Sequence, residues 1–85
     1  MINKEYKINY IITKGDILQI TLFEKKGNKI ICKVASYNLC EIDDKVTFYN
    51  RLLDDFNCEY NNELSNMLDM LVEDITSNVN LDREV

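Results

Sequence analysis

Carboxylates in the second half of the chain are the side chains with the clearest chemical potential. The acids and the one aromatic residue that we single out as a binding site are Asp54, Asp55, Glu59, Tyr60, Glu63, Asp69, Glu73 and Asp74. Asp69 and Glu73 are spaced i, i+4, so on a helix their Cβ atoms lie about 5–6 Å apart on one face. Like charges at this spacing destabilise a helix slightly, and residues 59–78 contain no Lys or Arg to offset the cost. An uncompensated local cost is typical of a functional surface.

Metal binding and catalysis are two chemistries that carboxylates can support. A Ca²⁺ loop needs oxygen ligands at alternate positions and a glycine at its sharp turn, but no glycine follows Gly27. General acid–base catalysis needs two carboxylates that converge in a pocket, whereas these acids are expected to face outward. The chain has no His, so it lacks an imidazole base and an imidazole metal ligand. The sequence therefore predicts no enzyme activity, no metal and no cofactor.

Binding of a basic protein is the third use of such carboxylates. Proteins that bind DNA neutralise its phosphates with Lys and Arg. A row of carboxylates on a rigid helix can occupy a groove of this kind and speed the encounter by electrostatic steering. Tyr60 would add an aromatic anchor among the acids.

Net charge is divided unevenly along the chain. The 85 residues carry a formal charge of -5, of which residues 1–40 contribute +4 and residues 41–85 contribute -9. Such an asymmetry indicates an interaction surface. The length predicts a single domain over residues 1–85. No signal peptide or membrane segment is expected, and three Cys suggest reduced thiols in the cytoplasm.

Alternation with a period of two predicts three strands, over residues 6–13, 17–25 and 29–37. Turns with glycine separate them at residues 14–16 and 26–28, so the strands form an antiparallel meander. The inward-facing side chains are expected to be Tyr6, Ile8, Tyr10, Ile12, Leu18, Ile20, Leu22, Ile30, Cys32 and Val34.

The periodicity becomes helical after Asn38 and predicts two amphipathic helices, over residues 44–57 and 62–77. Asp43 or Asp44 is expected to cap the first helix and Asn62 the second. The apolar stripe of the first helix is Val46, Tyr49, Leu52, Leu53 and Phe56. That of the second is Leu64, Met67, Leu68, Leu71, Val72 and Ile75. Residues 78–85 form a tail that we expect to fray. The predicted fold is a two-layer α+β domain of order β-β-β-α-α, with the helices packed on the meander.

The outward face of this sheet offers an alternative site. Its expected side chains are Lys7, Lys25, Lys29 and Lys33, interleaved with Phe23, Tyr37, Ile11 and Ile31. Basic and aromatic residues on a sheet can hold single-stranded nucleic acid. However, the acidic helices would repel it, so direct nucleic-acid binding is the least favoured function. The exposed apolar residues would instead suit a homodimer contact.

A resemblance to a known group of proteins arises from this order of elements, the length and the acidic segment NRLLDDFNCEYNNELSNMLDMLVEDITSN. Together they resemble small phage-encoded anti-CRISPR proteins over residues 6–77. The resemblance implies a DNA mimic in the host cytoplasm that occupies the DNA-binding groove of a CRISPR effector nuclease. An immunity protein or antitoxin against a basic toxin, or a homo-oligomeric interaction module, would be consistent with the same residues.

Overall fold

The computed structural model of the protein describes residues 4–42, 44–58 and 61–79. Its elements are β1 Lys4–Thr13, β2 Ile17–Lys26, β3 Lys29–Asn38, a 3₁₀ helix Leu39–Glu41, α1 Lys45–Asp55 and α2 Asn62–Val79. One antiparallel sheet of order β1-β2-β3 precedes the two helices, which confirms the predicted α+β class and element order.

Two compact units make up the chain, residues 1–39 and residues 40–85. We call them the sheet unit and the helical unit. The prediction of one domain for the whole chain stays a prediction. Of the tail predicted to fray, residues 80–85 lie outside the described residues, and α2 continues to Val79.

Two different turns connect the strands of the sheet unit. The β1–β2 loop spans three residues and includes Gly15 and Asp16 at φ values of 85° and 61°. The β2–β3 loop spans only Gly27 and Asn28, and Gly27 has φ 61° whereas Asn28 has no positive φ. Glycine at the first of two central positions is the signature of a type II′ hairpin turn, whose twist matches that of the strands.

The short second turn fixes which side chains of β3 share a face with those of β2. Lys26 lies opposite Lys29, and continuing this register places Leu18 opposite Tyr37. Leu18, Ile20, Leu22 and Tyr37 are all buried. Because directly opposite residues share a face of a sheet, these side chains define what we call the buried face.

The predicted face of β3 is wrong. Ile30 and Val34 are 68% and 55% exposed, and Cys32 is exposed as well, although all three were expected inside. Tyr37, expected outside, is buried. The prediction assumed a three-residue loop over residues 26–28. A loop one residue shorter shifts the register by one, which exchanges the two faces of the strand.

In the helical unit, α1 and its C-cap residue Phe56 bury one side chain per turn. Phe48, Leu52 and Phe56 recur at i, i+4 and i+8 and are buried. Val46, expected in this stripe, is 68% exposed and is therefore a correction, and Phe48 takes its place. Residues i and i+4 lie one above the other on a helix, so the side chains of Phe48, Leu52 and Phe56 form a continuous apolar ridge.

The apolar stripe of α2 agrees with its prediction. The residues buried along it are Leu64, Leu68, Leu71, Val72 and Ile75, and Met67 is half-buried. The helix is capped one residue earlier than expected, because the Oδ1 atom of Asn61 accepts a hydrogen bond from the Leu64 N–H at 3.0 Å. Asn61 thus replaces Asn62 as the N-cap.

The end of α1 is a Schellman motif. The N–H of Cys58 donates to the carbonyl of Leu53 at 3.0 Å, and the N–H of Asn57 donates to that of Asp54 at 3.1 Å. Asn57 adopts φ 56°, a conformation that asparagine tolerates better than most residues. This motif stops α1 at Asp55 and redirects the chain toward α2.

Asp44 caps α1 with both carboxylate oxygens. Oδ1 accepts the Thr47 N–H at 2.9 Å and Oδ2 accepts the Thr47 hydroxyl at 2.8 Å. The backbone N–H of Thr47, followed by its hydroxyl, holds the pKa of Asp44 below its ordinary value. The other predicted candidate, Asp43, lies outside the described residues.

Replacing Asp44 by Ala should lower the urea midpoint of helix unfolding at pH 7, because two hydrogen bonds at the helix start are lost. Since the folded pKa is lowered, the ionised cap stabilises above the ordinary Asp pKa of about 3.9 and its contribution is lost as pH falls through the folded value. Circular dichroism at 222 nm measures both effects. Asp44→Asn is the control, because it can still cap but cannot ionise. If the urea midpoints of wild type and Asp44→Asn differed by the same amount at every pH down to 2, the ionisation of Asp44 would not contribute to stability as proposed.

Candidate functional site

The acidic helical surface is the candidate site, and we define it by its described members. They are Asp54, Asp55, Glu63, Asp69, Glu73 and Asp74, and all six are exposed. They lie on α1 and α2 outside the buried stripes that hold the two helices together. Glu59 and Tyr60, the remaining predicted members, lie outside the described residues.

Asp69 and Glu73 line a groove between α1 and α2. The groove has a volume of about 140 Å³. Its other lining residues are Lys45, Val46, Tyr49 and Val72. The hydroxyl of Tyr49 donates to the carbonyl of Ser65 at 3.1 Å and fixes α1 against α2 beside the groove.

A cation from α1 offsets one of these two carboxylates. The Lys45 ammonium lies 3.2 Å and 3.0 Å from the two carboxylate oxygens of Glu73. The sequence predicted that no cation would offset the repulsion between Asp69 and Glu73. That prediction is wrong for Glu73, because Lys45 pairs with it. Both side chains of the pair are substantially exposed, so the pair stabilises the unit by at most about 1 kcal/mol.

Asp54 and Asp55 lie elsewhere, on the last turn of α1. Asp54 follows Tyr49 by five residues, which places it on the side of α1 away from the groove. Asp55 forms an i, i+4 ion pair with Arg51 at 3.7 Å. The structure therefore does not gather all the predicted acids into one patch, because the groove pair and the α1 pair occupy different sides of the helical unit.

Glu63 and Asp74 flank the outer face of α2. Between their positions lies Met70, whose side chain is 72% exposed. Met70 was not among the predicted site residues, although the helical spacing already placed it outside the apolar stripe of α2. Among the described residues, no ion pair reaches Asp54, Glu63 or Asp69. These three carboxylates are exposed to an external partner.

The alternative site on the sheet is divided by the observed register. Lys7, Phe23 and Lys25 share one face, which is the exposed face of the sheet, with Ile30. Lys33 lies on the opposite face in register with Leu22, and Tyr37, predicted to be exposed, is buried there. Five residues of the exposed face, which are Glu5, Lys7, Phe23, Lys25 and Ile30, line a concavity of about 380 Å³ together with Tyr6. The charged members of this lining are Lys7, Lys25 and Glu5.

The described part of the chain has two further features that concern metals and membranes. No cluster of three Cys, Asp or Glu side chains there is arranged to hold a metal ion. Neither helix, over the residues that the structure describes, combines the length and hydropathy needed to cross a membrane. Comparison with protein-family models, with curated proteins and with solved structures finds no match to this chain.

Proposed function

We propose that the protein is a non-catalytic inhibitor that binds a basic, nucleic-acid-handling protein through its acidic helical surface. The observation that carries this proposal is the exposure of Asp54, Glu63 and Asp69 without an ion pair in the described residues. Exposed carboxylates with no cation of their own are available to the Lys and Arg of a partner.

Helix geometry supports mimicry of a phosphate backbone. Residues spaced i, i+4, such as Asp69 and Glu73, are separated by about 6 Å along the helix axis. Two phosphate steps on one DNA strand cover a similar rise of about 7 Å. The capped and internally bonded helices fix the backbone positions from which these carboxylates project, so a partner does not need to order the backbone on binding.

The ion pair between Lys45 and Glu73 sets a condition on the partner. An arginine that approaches Glu73 must compete with the Lys45 ammonium, 3.0 Å away. Asp69 in the same groove has no such competitor among the described residues. We therefore assign Asp69 the larger share of recognition in the groove, and Glu73 a smaller one.

The partner class that we propose is a CRISPR effector nuclease in the cytoplasm of the infected cell. Its DNA-binding groove offers the cations that this surface would meet. An immunity role would use the same carboxylates against a basic toxin, so the identity of the basic partner decides between the two functions.

A competition assay tests this function. The purified protein is titrated into a guide-loaded CRISPR effector nuclease bound to fluorescent target DNA, and anisotropy reports release of the DNA. We expect release that becomes weaker as salt is added, because screening reduces attraction between exposed charges. Failure to release DNA at low salt would overturn the assigned target. A shift of the DNA by the protein alone would instead indicate nucleic-acid binding.

A further inference from the structure

The outer edge of β3 is an unprotected strand edge in the sheet unit. The sheet order β1-β2-β3 leaves β3 with one neighbour. Residues 29–34 are all exposed, with Ile30 at 68% and Val34 at 55%. Natural edge strands are usually blunted by Pro, by several charges or by a bulge. The stretch from Ile30 to Cys32 carries none of these features and is therefore a template for another strand.

The two-residue turn determines which backbone groups of β3 point outward. Lys26 and Lys29 flank this turn, so they form a hydrogen-bonded pair. Hydrogen-bonded pairs alternate along an antiparallel ladder, and residues 31, 33 and 35 therefore bond to β2. The residues between them have N–H and C=O groups that point away from the sheet. These residues are Ile30, Cys32, Val34 and Ser36.

Self-pairing of this edge has a favourable register centred on Cys32. With Cys32 opposite Cys32 of a second copy, Ile30 lies opposite Val34 and Lys33 lies opposite Ile31. All the outward-pointing groups of Ile30, Cys32 and Val34 are then paired, giving about six new hydrogen bonds. Centring the pair on Lys33 would place like charges opposite each other, and centring it on Ile31 would place Lys29 opposite Lys33. Both arrangements are destabilising.

We propose that two copies of the chain associate through β3, antiparallel and with Cys32 at the two-fold axis, to form a continuous six-stranded sheet. The register matches apolar side chains to apolar side chains on the exposed face and keeps lysines apart. A closed two-fold pair also covers the edge between Lys29 and Lys33, where Ile30, Ile31 and Cys32 carry no charge. This dimer uses only the sheet unit and does not depend on the proposed function.

Sedimentation analysis of three proteins over a range of concentrations tests the dimer. Wild type should be dimeric at high concentration. Val34→Pro removes one outward N–H but no bond to β2, and should weaken dimerisation by on the order of tenfold or more. Thr21→Lys is the matched control, because Thr21 lies opposite Val34 on the same face but on the central strand. It should disrupt face-to-face stacking of sheets and leave edge pairing intact.

Cross-linking gives a second measurement that does not require the proline variant to fold. In Cys40→Ser the described thiols are Cys32, which is exposed, and Cys58, which is buried. Opposite Cα atoms of a hydrogen-bonded pair are about 5.5 Å apart, so a short bismaleimide should join two chains through Cys32. A wild-type monomer at every concentration, or a dimer that Cys32 does not cross-link, would overturn the proposal. A dimer broken by Thr21→Lys but not by Val34→Pro would do the same.

Discussion

Replacing Asp54 and Asp69 together by lysine should weaken binding to the basic partner by about 100-fold or more, which corresponds to about 2.8 kcal/mol. Each change turns an attraction to the partner into a repulsion. Neither carboxylate is in an ion pair within the described residues, so the variant breaks no such pair in the helical unit. A lysine at position 54 also suits the negative end of the α1 dipole. Calorimetric titration against the CRISPR effector nuclease measures the loss.

A matched variant separates the acidic helical surface from net charge. Glu5→Lys with Glu41→Lys changes the total charge by the same amount, and both residues are exposed and lie outside that surface. We expect this variant to bind within a few-fold of wild type at physiological salt, because neither residue belongs to the acidic helical surface and salt screens exposed charges outside a contact. Equal losses in both variants would indicate that binding follows total charge and not a defined surface. Unchanged binding by Asp54→Lys with Asp69→Lys would contradict the proposed function.

Period-two alternation was sufficient to predict the three strands, but not the face of β3. Residues 30–34 read Ile-Ile-Cys-Lys-Val, so both faces of the strand carry apolar side chains and hydrophobicity alone decides weakly between them. The turn between β2 and β3 determines instead which face of β3 is buried. Gly27 and Asn28 form a loop of two residues, which pairs Leu18 with Tyr37. Tyr37, and not Cys32, therefore belongs to the core.

Local spacing also explains what could be predicted of the candidate site. The exposure of the acids follows from their positions opposite the apolar stripes, because a helix repeats every 3.6 residues. The pair between Lys45 and Glu73 does not follow from spacing, since 28 residues separate them. Such a contact depends on how α1 and α2 pack, and no periodicity within either helix encodes it. The same holds for the separation of the acids onto different sides of the helical unit.

Truncating Leu68 to Ala should reduce the free energy of unfolding by about 2–5 kcal/mol, as is usual for a leucine buried in a core. Leu68 is 1% exposed, so the loss combines transfer and cavity costs. An 85-residue protein has a total stability of roughly 4–13 kcal/mol, and the variant therefore approaches the limit of folding at physiological temperature. Thermal melting followed at 222 nm should show a midpoint lowered by about 10 °C or more.

Met70→Ala is the control on the same helix, because it removes an apolar side chain of similar size that is 72% exposed. Alanine is the stronger helix former, so we expect the midpoint to stay constant or rise slightly. Similar losses from Leu68→Ala and Met70→Ala in the isolated protein would contradict the assigned buried stripe. A Met70→Ala variant that melts normally but binds the nuclease more weakly would place Met70 in the contact. Exposed methionine between Glu63 and Asp74 would then supply the apolar centre that a mainly electrostatic surface needs for a slow dissociation rate.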